Sequence, residues 1–342
     1  MPTDLLDRRL LVVTGKGGVG KTTVAAALAW QAASRGKRVL VCELDAKGDL
    51  LSSLGQSLAA RGTSGGASKS QDALTFTPRE LHPRLHAMVM DPEASLKEYL
   101  RLNLRIPLVT RVGALSNAFD FLANAAPGVR EIVTIGKLAY EVRERHYDLV
   151  IADAPATGHI AGLLRAPQAI NELVGVGLIR SQTAWILDIL RDPAQTGVVL
   201  TTTSEELPVN ESLELLDRMR ADINVDCAAV VVNRLLPQSL TEADGDAVTK
   251  LAAKSAKKTP AASTTLTQVL DGASLLAQLG RARAPHLRRL LEAWSGPIAL
   301  VPTITSEPTG LPITRSVAEH LADELSLHAT PPAQRQQRPV RR

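Results

Sequence analysis

Two cysteines in 342 residues are too few for a disulfide scaffold. Cys42 and Cys227 are 185 residues apart, each in or beside an apolar run, and neither belongs to a C-x-x-C pair. They read as buried spectators rather than metal ligands or redox partners. Aromatic residues are scarce as well, at 3% of the chain, and there are only four methionines. No stretch approaches the roughly 18 consecutive apolar residues that a membrane-spanning helix needs. The opening segment, MPTDLLDRRLLVV, mixes acids with bases and runs straight into an apolar run, unlike a secretory leader. These absences predict a soluble, cytoplasmic protein without stable membrane insertion.

A folded surface of one charge sign is also missing. The formal charge of +4 comes from 39 Lys+Arg against 35 Asp+Glu. Arg335, Arg338, Arg341 and Arg342 lie in the closing QRQQRPVRR, and without that segment the count is 35 of each sign. The body is therefore neutral, the charge is no evidence for a nucleic-acid face, and no nucleic-acid partner is expected. Residues 329–342 read as a disordered basic tail, and residues 1–328 as one domain.

Aliphatic residues are abundant, and hydrophobic residues make up 45% of the chain. Short apolar, β-branched runs recur at residues 10–13, 39–42, 87–90, 149–152, 198–201, 228–232 and 298–301. Most are continuous instead of alternating, as expected of strands covered on both faces. Helical spacing appears between several of them, over residues 22–35 and 211–220. The alternation predicts an α/β fold with a doubly wound, mostly parallel sheet. Residues 91–146 and 160–192 show no strand pattern and read as helical, broken by Pro107, Pro127 and Pro167. Six of the nine aromatics fall in this part of the chain: Tyr99, Phe119, Phe121, Tyr140, Tyr147 and Trp185. The two stretches are expected to form one inserted helical subdomain at the carboxyl edge of the sheet. Residues 55–72 and 254–265 are small and polar, and read as mobile loops.

The sharpest signal is Gly15-Lys16-Gly17-Gly18-Val19-Gly20-Lys21-Thr22, followed by Thr23. It fits G-x-x-x-x-G-K-[ST] directly after a strand and before a helix, the context that a P-loop NTPase requires. Glycines let backbone N–H groups turn inward around a polyphosphate, and the helix N-terminus adds its positive dipole end. Lys21 would neutralise β/γ oxygens, and the Thr22 hydroxyl is placed for Mg²⁺. Asp153 ends an apolar strand, where a carboxylate is costly unless paired; a Mg²⁺ water shell supplies that partner.

With Lys16 inside it, the loop reads K-G-G-V-G-K-T-T and resembles the deviant phosphate loop of arsenical-pump ATPases. The same loop type occurs in tail-anchored-protein targeting ATPases, nitrogenase iron proteins and partitioning ATPases. The segment from Asp153 to His159, D-A-P-A-T-G-H, is similar to the second switch of the arsenical-pump and tail-anchored-protein targeting branch. The resemblance covers nearly the whole chain, to about residue 325, and is closest to bacterial, actinobacterial-type members. It implies ATP and Mg²⁺ as ligands, and a dimer in which Lys16 reaches the partner's nucleotide. Asp45 would orient the attacking water, and Asp153 would hold Mg²⁺ through water. His159 would be a structural switch residue. The family continues its first switch differently, so Ala46-Lys47-Gly48 departs from the pattern; Lys47 is either a phosphate contact or a solvated lysine. Asn233, in V-V-V-N-R, either hydrogen-bonds adenine or closes its strand into a turn. Pro302 opens V-P-T-I-T-S-E-P-T-G-L-P, which resembles the loop that closes over the base. Asn210, in L-P-V-N-E, is expected to cap a helix.

Familiar client-binding features of the family are absent: the insertions hold neither cysteine nor methionine. The leading expectation is an ATP-hydrolysing switch, homodimeric or paired with a homologue, acting on a partner or an apolar protein client. The alternative is a nucleotide-binding scaffold that hydrolyses little and supports a homologous ATPase. A partitioning ATPase is disfavoured by the neutral body and by a tail poor in apolar residues.

Overall fold

The computed structural model describes residues 4–45, 48–56, 74–104, 128–173, 178–236, 245–248, 250–251, 264–305 and 307–327. Phe119, Phe121, Pro107, Pro127, Lys47 and the 329–342 tail lie outside them, as do almost all of the two polar stretches.

Among the described residues one eight-stranded sheet organises the chain. Its strands are β1 (Leu10–Thr14), β2 (Val39–Glu43), β3 (Arg79–His82), β4 (Leu85–Val89), β5 (Leu149–Asp153), β6 (Thr196–Thr202), β7 (Cys227–Leu235) and β8 (Ile298–Pro302). Their order is β3-β4-β2-β5-β1-β6-β7-β8, parallel throughout except for the β3–β4 pair. Every residue of β1, β2, β5 and β6 is buried, which is why these strands read as unbroken apolar runs. The edge strand β3, R-E-L-H, is mostly polar and was not visible as a strand in the sequence.

Helices cover both faces. On one face lie α1 (Lys21–Ser34) and α9 (Leu311–Glu324). The buried alanines of α1, Ala25, Ala26, Ala27, Ala29 and Ala32, let it lie close to the sheet and to Val317, Ala318 and Leu321 of α9. The short α2 (Asp49–Ser53) follows β2. The opposite face is covered by α4 (Val129–Arg143), α5 (Thr157–Leu173), α6 (Leu178–Arg191) and α7 (Glu206–Arg218). Helix α3 (Pro92–Leu104) joins α4 through Lys137, whose buried ammonium bonds Glu98 at 2.6 Å and Glu141 at 2.6 Å. Ile135, Leu138, Ile160, Leu164 and Ile186 share one apolar cluster with the sheet, so α4, α5 and α6 pack on the strands as well as on each other.

Three expectations need correcting. Pro167 does not break a helix: it lies within α5, where the buried face from Ile160 to Ala166 outweighs the lost backbone bond. Helix α7 begins at Glu206, five residues before the expected start, with Pro208 in its first turn, where an N–H needs no helical partner. Asn210 is therefore inside α7 and caps nothing; its Oδ1 accepts from Arg289 of α8 (Thr264–Ala293). That 30-residue helix, Thr264–Ala293, was not legible in the sequence and contains the last two residues of the second polar stretch.

Candidate functional site

Strand β1 lies at the point where chain connections reverse direction, with β5 and β2 on one side and β6 on the other. Ligands of doubly wound sheets bind at such a crevice, beyond the carboxyl ends of the strands. The loop from Gly15 to Gly20 fills this position and feeds α1. Two of its glycines are required by space and backbone angle. A methyl on Gly15 (φ 150°) would lie 1.9 Å from the Thr201 carbonyl oxygen. One on Gly20 (φ 96°) would lie 2.3 Å from the Asn233 amide nitrogen. Gly17 and Gly18 instead face open space. No side chain caps α1, so its first N–H groups remain directed at the crevice.

A cavity of about 550 Å³ opens there. Gly17, Gly18, Gly20, Lys21, Thr22, Thr23, Glu43, Asp45, Asp153, Asn233 and Pro302 all border it. The cavity thus gathers ten of the thirteen candidate site residues, and Gly15, Lys16 and Val19 do not border it. Lys21 Nζ donates to the Lys16 carbonyl at 3.2 Å. Val19 is buried, and its carbonyl accepts from Asn233 Nδ2 at 2.9 Å. Asn233 Oδ1 accepts the Arg234 backbone N–H at 2.9 Å. Asn233 therefore clamps the loop, and these two bonds use one of its amide N–H groups and one carbonyl lone pair. Arg234, unmarked in the sequence, donates from Nη1 to the Gly18 carbonyl at 2.9 Å and tightens the same clamp.

At the floor of the cavity, Thr22 Oγ1 donates to Asp153 Oδ2 at 2.7 Å. Asp153 Oδ1 is buried without a hydrogen-bond partner among the described residues. Burial raises the Asp153 pKa to about 6; the Thr22 bond and Lys21 oppose the rise, while Glu43 and Asp45 add to it. Glu43 is 2% exposed and pairs in register with Asp153 across β2 and β5. Its Oε1 accepts the Gly48 N–H at 2.8 Å and the Asp49 N–H at 3.2 Å, closing the loop that carries Asp45. Asp45 itself is exposed at the cavity wall. The Thr22 hydroxyl and the orphaned Asp153 carboxylate oxygen are hard-oxygen donors of the kind Mg²⁺ takes, though no cluster of three or more carboxylate, histidine or cysteine ligands forms among the described residues. The open glycine loop beside a lysine and a helix N-terminus fits a polyphosphate.

Lys16 behaves differently. It borders a second cavity of about 660 Å³ on the outer side of the loop, with Thr203, Glu205, Pro208, Arg234 and Arg283. Its ammonium is paired with Glu211 of α7. Glu211 Oε2 also accepts from Thr157 Oγ1 at 2.7 Å. This link was not legible in the sequence, because its partners are far apart along the chain. Neither cysteine borders either cavity: Cys42 is buried with its thiol pKa raised, and burial pushes that of Cys227 to about 12.

A family model described as anion-transporting ATPase matches residues 8–183 and 176–261. The chain belongs to the anion-transporting ATPase family. Among relatives of this ATPase, the mycobacterial ATPase BagA of Mycobacterium tuberculosis is 30% identical over 249 residues, covering 71% of this chain and 70% of that protein. ATPase GET3C of Arabidopsis thaliana is 26% identical over 276 residues, 68% of each chain. A Halobacterium salinarum protein named as an arsenical pump-driving ATPase is 24% identical over 243 residues, 68% of this chain and 36% of that one. No helix of the described residues is long and apolar enough to cross a membrane.

Proposed function

We propose that this ATPase hydrolyses Mg·ATP as a twofold dimer, formed by two copies or with a paired homologue. The cycle would switch its helical subdomain, residues 91–146 and 160–192, between states that hold and release an apolar protein client. The observation that carries this reading is the division of the two loop lysines between two cavities. Lys21 borders the inner one with Thr22, Asp45 and Asp153, whereas Lys16 borders the outer one.

In this reading the loop amides and Lys21 hold the phosphates and offset charge that develops during transfer. Thr22 and Asp153 hold Mg²⁺, directly and through water. Bound there, Mg²⁺ supplies Lewis-acid charge to phosphate oxygens. Asp45, at the exposed rim, orients the attacking water. Asn233 and Pro302 border the end of the cavity assigned to adenine. Lys16, turned outward, serves the nucleotide of a facing subunit. Exposed apolar side chains support a client or partner surface: Leu173 at the end of α5, and Val269, Leu275 and Leu276 on α8.

Equilibrium binding and steady-state turnover of Lys21→Ala and Thr22→Ala test the assignment. Both variants should keep the wild-type fold and lose Mg·ATP binding or turnover. Wild-type rates in both would overturn it.

A further inference from the structure

The carboxylate of Glu211 joins three elements of the site. Through Oε1 it holds the Lys16 ammonium of the phosphate loop. Through Oε2 it accepts the hydroxyl of Thr157, the first residue of α5, at 2.7 Å. Thr157 lies four residues after Asp153, so the segment leaving the Mg²⁺ corner ends on the group that holds Lys16. The side chains of Lys16 and Glu211 are 30% and 35% exposed, so the pair is partly shielded yet open to exchange. Hydrogen bonds from Lys16 first, and Thr157 second, hold the Glu211 carboxyl below its usual range.

We infer that Glu211 is a positioning residue that keeps Lys16 tied within its own subunit until the segment after Asp153 moves. The inference rests on the proposed action of Lys16 across a dimer. A phosphate approaching Lys16 from a facing subunit would bring a second anion against the Glu211 carboxylate, so engagement requires the tie to open. Movement of Thr157 removes one of the two donors that fix the carboxylate, which links opening to the state of the Asp153 corner. Helix α7 bonds α8 through Asn210 to Arg289, and the residue before it, Glu205, bonds Arg283, so a shift of α7 has a direct route to α8.

The test is amine acylation of the full chain without nucleotide, read residue by residue by mass spectrometry. Glu211→Gln should acylate Lys16 about fivefold faster than wild type, a change equal to about 1 kcal/mol at 1.4 kcal/mol per decade. Thr157→Val should fall between the two. Lys37 and Lys97, which have their own carboxylate partners, should keep their wild-type rates in both variants. Unchanged Lys16 labelling in both variants would overturn the inference. Self-association driven by a non-hydrolysable ATP analogue gives a second readout: Glu211→Gln should associate at about fivefold lower concentration, and not when Lys16→Ala is added. Weaker association of Glu211→Gln would also overturn the tie. Faster labelling without analogue-driven association in any variant, alone or with a paired homologue, would support the tie and remove the dimer reading.

Discussion

Replacing Asp153 by asparagine should stabilise the nucleotide-free, metal-free protein while destroying its function. Asp153 is 6% exposed and lies beside Glu43. Its carboxyl rises from the ordinary 3.8 to about 6, chiefly through burial. At 1.36 kcal/mol for each tenfold change in proton binding, holding it ionised costs the folded state about 3 kcal/mol. The folded protein binds this proton more tightly than the unfolded chain. The group's contribution therefore falls as pH rises from 3.8 to about 6, and its full cost is present above that. Asparagine is neutral, keeps an acceptor for Thr22 Oγ1 and removes the repulsion from Glu43. Unfolding followed in EDTA should show Asp153→Asn more stable than wild type by up to about 3 kcal/mol at pH 8, or about 5 °C in Tm. The gap should close through pH 6 and vanish near pH 4. Adding Mg·ADP should stabilise wild type and leave the variant nearly unmoved. A variant less stable than wild type at pH 8, or a gap independent of pH, would refute the electrostatic reasoning.

Other sites give sharper mutational tests. Lys137→Ala leaves Glu98 and Glu141 facing each other without their shared cation, and should cost about 3 kcal/mol in thermal unfolding. Gly15→Ala places a methyl 1.9 Å from a backbone oxygen that cannot move aside, so nucleotide binding should be lost in calorimetry. Asn233→Ala unclamps the Val19 carbonyl and should weaken ATP binding about tenfold while narrowing preference over GTP. Equal losses for ATP and GTP would leave Asn233 a loop clamp alone.

The fold was legible where burial is two-sided. Strands β1, β2, β5 and β6 are unbroken apolar runs because no position along them meets water. Strand β3 was hidden because one neighbour suffices for an edge strand and its side chains stay polar. Helix α8 was hidden for the opposite reason: Val269, Leu275 and Leu276 remain exposed, so its apolar residues do not mark a single inward stripe. Pro208 and Pro167 read as punctuation, yet one occupies a first turn and the other is overruled by packing. The phosphate loop was legible because its geometry is local: one turn, one helix start and two crowded glycines. The ties of Lys16 to Glu211 and of Arg234 to Gly18 span 195 and 216 residues, and no spacing rule reaches across such distances.

The central claim is tested most directly by mixing two variants that fail for different reasons. Lys16→Ala should bind ATP normally and turn it over poorly, because its facing subunit lacks the lysine. Asp45→Asn should also bind and turn over poorly, because its own water is not oriented. In a homodimer that exchanges subunits, each mixed pair carries one site with both groups intact. An equal mixture should then recover about a quarter of the wild-type rate, since half of randomly paired twofold dimers are mixed. A mixture no more active than its parts, with normal turnover by Lys16→Ala alone, would contradict catalysis across a dimer.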